Sequence, residues 1–456
     1  MTLDAAHWQD RLATLADKHG VVGAGLAVQH GDDVVEAAAG VLNRRSGQPA
    51  TPDAVFQIGS ITKVWTATLV MQLVDDGLLD LDTPVVEYLP SFRVADPTVT
   101  ATVTARQLLS HSSGIDGDLF LDTGRGEDAL EKYVAAMADL TQVVPQGRVM
   151  SYGNSGYSLL GHLVATLRGA SWETVVRERL LTPLGLDSAG TLPEEALLHA
   201  AATGHLVLPG SDEPVVTPQW GIYRSCGPAG LIHSTARAQL AFAQLHLSGG
   251  LAPDGTRLLS TASVGAMQEA QIEVPDRWLL GGHWGLGWIL SDWNGARVFG
   301  HDGATLGQGA FLRVLPDNGL VLSLVTNGGA GARDLYEDLF GELVEQLAGV
   351  TLPARPEPAT QPVELDPSRF VGTYAREGVE MLVEEVEPGR LQLTMTNLSP
   401  LTMGQPPQVL ALEALDESVL LAKPAEAGSW TPAVFFELDG QRYLHLGART
   451  TPLRRG

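Results

Sequence analysis

The chain has one cysteine, Cys226, among 456 residues. That excludes an internal disulfide, and no Cys/His cluster at ligand spacing points to a metal. Its setting, Ser225-Cys226-Gly227-Pro228, reads as structural filler rather than a nucleophile. Positive charge is also scarce. Lys and Arg number 29 against 53 Asp and Glu, a formal net charge of −24. Such a balance excludes nucleic acid and anionic membrane surfaces as partners. No apolar run approaches membrane-spanning length. The opening Met1-Thr2-Leu3-Asp4 leads into neither a basic stretch nor an apolar one of the secretory kind, so a cytoplasmic location is expected. No internal repeat occurs, and nothing in the pattern requires a cofactor.

What is present is too long for a single core, so one large domain and a smaller one are expected. Gly25–Val28 and Val34–Ala37 flank His30-Gly31-Asp32-Asp33 as a hairpin. A helix is expected from about Ser60 to Asp76, another over 102–110, and others over 128–140, 159–167, 173–181 and 236–248. Residues 117–127 read as a mobile loop. Strands return at 283–290, 297–303, 310–315 and 320–325, the last two joined by Pro316-Asp317-Asn318-Gly319, a turn sequence. Early and late strands can share one sheet, closed by a helix over 333–347. Residues 1–350 form the first domain, 351–367 a proline-rich linker, and 368–456 a small all-β barrel of short alternating strands at 379–386, 391–396, 409–412, 419–422, 434–438 and 441–446.

The chemistry lies in three islands: Ser60-x-x-Lys63, Tyr152-x-Asn154 and His301-x-Gly303. Ser60 at a helix start sits among free backbone N–H groups, with Lys63 one turn on and on the same face. A serine hydroxyl is a weak nucleophile until a base takes its proton, and a desolvated lysine amine can do so. The three islands together suit acyl transfer. Ser60 attacks a carbonyl, Lys63 with the Tyr152 phenol carries the proton to the leaving group, and Asn154 orients the substrate. His301 lies at the substrate edge, and the strand Gly303-Ala304 lays its backbone along the substrate. The N–H groups of Ser60 and Ala304 would form the oxyanion hole.

These islands, with Leu108-Leu109-Ser110-His111-Ser112-Ser113-Gly114, Gly156-Tyr157-Ser158-Leu159-Leu160-Gly161 and Pro183-Leu184-Gly185-Leu186, resemble the serine penicillin-recognising superfamily. That group holds penicillin-binding proteins, class C β-lactamases, D-aminopeptidases and related esterases. The resemblance covers about residues 22–347 and implies an α/β fold, an antiparallel sheet with a helical lobe and the serine between them. The third island is His301-Asp302-Gly303, where β-lactamases usually carry Lys-Thr-Gly and many of the esterases Trp-x-Gly. It resembles instead enzymes that act on peptides.

The layout as a whole is most similar to the penicillin-binding-protein-type thioesterases, stand-alone macrocyclases of non-ribosomal peptides with a lipocalin-like C-terminal barrel. Trp284-Gly285-Leu286-Gly287, Gly300–Ala304, Gly372-Thr373-Tyr374 and Gly447-Ala448-Arg449 carry that likeness. It implies a peptidyl thioester substrate on a carrier protein, attack by the peptide's own amine, and a preference for a D-configured acyl residue. It also implies that Arg449 faces the active site and pairs with a carboxylate. The alternative within the same machinery is a hydrolase (D-aminopeptidase, D,D-peptidase or esterase) with water as acceptor.

Overall fold

The computed structural model describes residues 3–207, 213–329, 331–398, 406–424 and 429–454. The outermost residues of the two expected domains, at positions 1–2 and 455–456, lie outside them. Early and late strands do share one sheet. Its nine antiparallel strands run in the order Gln48–Pro49, Asp33–Asn43, Gly23–His30, Leu320–Thr326, Gln308–Leu315, Ala296–Thr305, Ile289–Trp293, His283–Trp284 and Ile272–Glu273. Side chains alternate between its faces, as a pleated strand requires. Leu26, Val28, Leu322 and Leu324 pack with Trp8, Leu12, Leu339 and Leu343 of the terminal helices Ala5–Lys18 and Ala332–Ala348. Ala27, Val321 and Val325 face the other way, into the helical lobe, where Trp65 stacks on Phe242 with ring centroids 3.9 Å apart.

Three expected elements differ, each for a local reason. The nucleophile helix runs Thr62–Asp75, and Ser60 stands just before it in a 3-10 turn, Gly59–Ile61. The expected helix over 102–110 is two, Pro97–Thr102 and Ala105–Leu109. Val103 between them is extended, and Thr104 with Gln107 forms a capping box that starts the second. The expected strand over 283–290 is interrupted at Gly285-Leu286-Gly287. Gly287 has φ +94°, and a Cβ there would stand 2.7 Å from the Cβ of Ala67, so this turn lies directly on the nucleophile helix.

Beyond residue 351 the chain is strapped down. Arg355 pairs with Asp334 (2.6 Å) and Glu337 on the last helix of the first domain. The C-terminal region is an eight-stranded antiparallel barrel, Gly372–Arg376 through Arg449–Pro452, taken in chain order. The sequence reading had found six of these strands. The first and last were missed, and these two close the barrel: Tyr374 bridges Leu453, and the Arg454 N–H donates to the Thr373 carbonyl at 2.7 Å. The closure is nearly complete. Its core is Phe370, Tyr374, Val383, Leu393, Leu420 and Leu444, with neighbours of the same kind.

Candidate active site

Ser60, Tyr152, Asn154, His301, Gly303, Ala304 and Arg449 all line one cleft of about 870 Å³. Gly303 explains how strand and serine meet. A Cβ there would fall 1.9 Å from the Ile58 carbonyl oxygen and 3.1 Å from the Ser60 nitrogen, so only glycine permits the approach. The strand Ala296–Thr305 pairs on one side with Gln308–Leu315 from Phe299 to Thr305. On its other side, among the described strands, pairing stops at Gly300. From His301 onward that edge is open, the arrangement that accepts an extended peptide as an added strand.

Lys63 is fully buried, and its Nζ has three neighbours: the Asn154 Oδ1 at 2.8 Å, the Ala229 carbonyl at 2.7 Å and the Ser60 Oγ at 3.0 Å. The first two can only accept. A neutral amine has two N–H donors and one lone pair, so its donors go to Asn154 and Ala229 and its lone pair to the Ser60 hydroxyl. Burial pushes the Lys63 pKa well below 10.5, and the positive Arg449 adds to this, while Asp118 works the other way. Three oxygen neighbours would also accept the three donors of an ammonium, so it is burial that favours the neutral amine beside the serine.

Tyr152 lies across the same corner, its ring centroid 4.8 Å from Lys63 Nζ and 5.0 Å from the Arg449 guanidinium carbon. Burial raises its phenol above the ordinary range, with Ser60 and Arg449 pulling partly back. It therefore rests as a proton donor and not as a phenolate. His111, in the left-handed region at φ +57°, accepts the Gly153 N–H on Nδ1 at 3.0 Å and lays its ring against Tyr152. His301 holds its Nδ1 against the Asp302 carbonyl at 2.5 Å, leaving Nε2 buried and without a hydrogen-bond partner among the described residues. Burial first, then nearby Lys63, push its pKa down to about 3. A ring that weakly basic is a poor rival to Lys63. Asp302, next along the strand, points to the opposite face and pairs with Arg313 (2.6 Å) and Arg333 (2.9 Å).

The carboxylate expected opposite Arg449 is Asp118, and with Arg376, which the sequence analysis did not single out, it forms a second charged centre beside the first. Asp118 opens the loop that was expected to be mobile, and it is held by four donors. Arg449 donates from Nε at 3.0 Å and Nη2 at 2.9 Å, Arg376 from Nη1 at 2.6 Å, and Asn154 from Nδ2 at 3.2 Å. Burial alone would raise its pKa, but Arg449 and Arg376 outweigh that and hold it at about 2. Those arginines come from the last and first barrel strands, so the barrel's seam is also its docking edge. The Glu377 N–H donates to Asp116 at 2.7 Å, the Tyr152 N–H to the Ala448 carbonyl at 2.9 Å, and the Thr450 hydroxyl to the Met150 carbonyl at 2.9 Å. The only sequence signal was Asp116-x-Asp118 directly after the Leu108–Gly114 segment.

A model of the Beta-lactamase family matches residues 8–346, and the chain belongs to that family, within the superfamily it shares with the penicillin-binding proteins. It is a serine hydrolase or acyltransferase of that kind. Penicillin-binding protein 4 of Amycolatopsis lactamdurans is 49% identical over 380 residues, 83% of this chain and 99% of its own. The crystal structure of SurE superposes with a TM-score of 0.79 at 29% identity over 99% of both chains, and SurE has also been solved with D-Leu. A D-amino acid amidase from Ochrobactrum anthropi SV3 shares the fold, with a TM-score of 0.61 at 23% identity over 75% of this chain and 99% of its own. No described helix is long and apolar enough to cross a membrane.

Proposed function

We propose that the chain is a serine acyltransferase that takes a peptidyl group from a carrier-protein thioester and releases it by head-to-tail macrocyclisation. The observation that carries this is the barrel bound over the acylation corner, with Arg449 at Asp118 and over the Tyr152 ring. Lys63 accepts the Ser60 proton as Oγ attacks the thioester carbonyl. The negative charge that develops on the carbonyl oxygen meets the N–H groups of Ser60 and Ala304. The thiolate leaves with a proton relayed through Tyr152, and the peptidyl group remains as an ester on Ser60. The peptide's own amine then attacks that ester, gives up its proton through the same relay, and the Ser60 hydroxyl is restored. The sum is thioester plus amine giving amide plus thiol.

A barrel wall on the cleft favours the internal amine by holding it near the ester and by narrowing the entry of water. The open edge from His301 suits an extended peptide, with Asn154 at its side. The full-length likeness to SurE, solved with D-Leu, supports a D-configured acyl residue. The test is a short peptidyl thioester ending in a D-residue. Cyclic product by mass is expected. Linear acid alone would assign water as the acceptor and make the chain a D-specific hydrolase.

A further inference from the structure

The barrel core leaves space at one end, among the described residues. A cavity of about 450 Å³ opens inside it, within the range of about 300–1,000 Å³ usual for small-molecule sites. An eight-stranded barrel is just wide enough to be filled by its own side chains or to keep room for one small ligand. Here some room is kept, and one part of its wall is apolar (Val379, Met381, Met395, Leu410, Ala422 and Leu446), with Asn397, Gln408 and Thr431 among its polar members. Met381 and Met395 are direct cross-strand partners, so two flexible thioethers stand side by side on the wall. Phe120 and Arg449 border both this cavity and the cleft at Ser60, so the two spaces lie side by side there. The interior thus offers an apolar stretch of wall next to the cleft.

We infer that the barrel lumen is a second substrate subsite, taking one large apolar side chain of the peptide whose acyl end is at Ser60. The inference rests on the peptidyl-transfer reading above and adds which part of the peptide is read at a distance. A residue anchored there fixes the far part of the chain, so the peptide's course from Ser60 is bent back toward the cleft.

The test uses the full-length Ser60→Ala protein, which cannot be acylated, labelled with ¹³C in its methionine methyl groups. There are eight methionines, few enough to assign by single Met→Leu changes. The protein is titrated with a linear peptide ending in a D-residue amide and carrying an internal Phe, and with the same peptide bearing Ala in place of Phe. Expected are shifts of the Met381 and Met395 signals with the Phe peptide, and a tenfold or greater loss of affinity with the Ala peptide. Met395→Trp, which fills the lumen from its wall, should weaken the Phe peptide to the level of the Ala peptide. Lumen methionines that stay unmoved up to millimolar Phe peptide, or that move equally with both peptides, overturn the inference with no variant needed. Cyclic product from the wild type with silent lumen methionines would sink this inference alone. Lumen shifts without any Ser60 ester in the wild type would sink the peptidyl-transfer reading alone.

Discussion

Lys63 and Asp118 stand on either side of Asn154 and are built in opposite ways. Lys63 is a potential cation given only uncharged partners, two carbonyl-type acceptors and a hydroxyl. Asp118 is an anion given two guanidinium groups and an amide. Both are removed from solvent, Lys63 wholly and the Asp118 side chain to 13% exposure. Burial without a counter-charge keeps the first neutral, and burial with two counter-charges keeps the second ionised. The Asn154 amide joins them, oxygen to the lysine and nitrogen to the aspartate. Both arginines belong to the barrel, so the far domain sets the charge next to Lys63. Without them, Asp118 would face Asn154 and Lys63 uncompensated and would favour an ammonium.

The largest effect should come from Ser60→Ala, which leaves both centres intact and removes only the atom they serve. No covalent adduct with an activated acyl donor should appear by intact mass, and an adduct equal to wild type would place the nucleophile elsewhere. Next is the neutral centre itself. Lys63→Ala, and to a smaller extent Tyr152→Phe, should slow acylation of Ser60 by something on the order of 10²- to 10⁴-fold, as loss of a positioned proton-transfer group does. Stopped-flow acylation within a few-fold of wild type would remove them from that role.

Arg449→Ala sharpens the contrast. It takes away a cation that lowers the Lys63 pKa and leaves Asp118, which raises it. The base works only when unprotonated, so the rate falls as pH drops through its pKa. The acid limb of the acylation profile should therefore move to higher pH in this variant, with about tenfold lost on that limb per unit moved. Superimposable acid limbs would mean that the barrel has no electrostatic hold on Lys63.

The smallest effect concerns Asp116, whose buried carboxyl is raised to about 6 against an ordinary 3.8, with Arg376 and the Glu377 N–H offsetting part of the rise. The folded protein holds that proton more tightly than the unfolded chain. Ionisation above about pH 6 therefore costs stability, and stability is regained as pH falls from about 7 toward 4. Asp118 acts in the opposite sense, its contribution being lost only as pH falls below about 4 toward 2. Asp116→Asn should flatten the rise in melting temperature between pH 7 and 4.5, measured by calorimetry. An unchanged slope would assign the rise to other groups.

How much could be read in the sequence follows the same division. Ser60, Lys63, Tyr152, Asn154 and His301 each sit in a short motif at an element edge; spacing joins only the neighbours within a motif, and the family resemblance joined the three motifs in one site. The shared sheet was legible because its central strands are short apolar, β-branched runs bounded by turn sequences and buried on both faces. Asp118 and Arg376 were not, because their meaning depends on a contact between residues more than 250 positions apart. No local pattern encodes such a pair. The closing strands Gly372–Arg376 and Arg449–Pro452 were missed for a related reason. Both are short and carry mixed side chains, since each spends an arginine on the neighbouring domain.

The most direct measurement is the titration of Lys63 itself. The chain contains only four lysines, so ¹³C-labelled lysine gives a spectrum in which the Lys63 signal is identified by its loss in Lys63→Arg. Expected is a Lys63 resonance that titrates well below 10.5 and coincides with the acid limb of Ser60 acylation, both moving upward together in Arg449→Ala. A Lys63 that stays protonated up to its ordinary value, while Ser60 is still acylated at neutral pH, would contradict the neutral base and the barrel's part in making it.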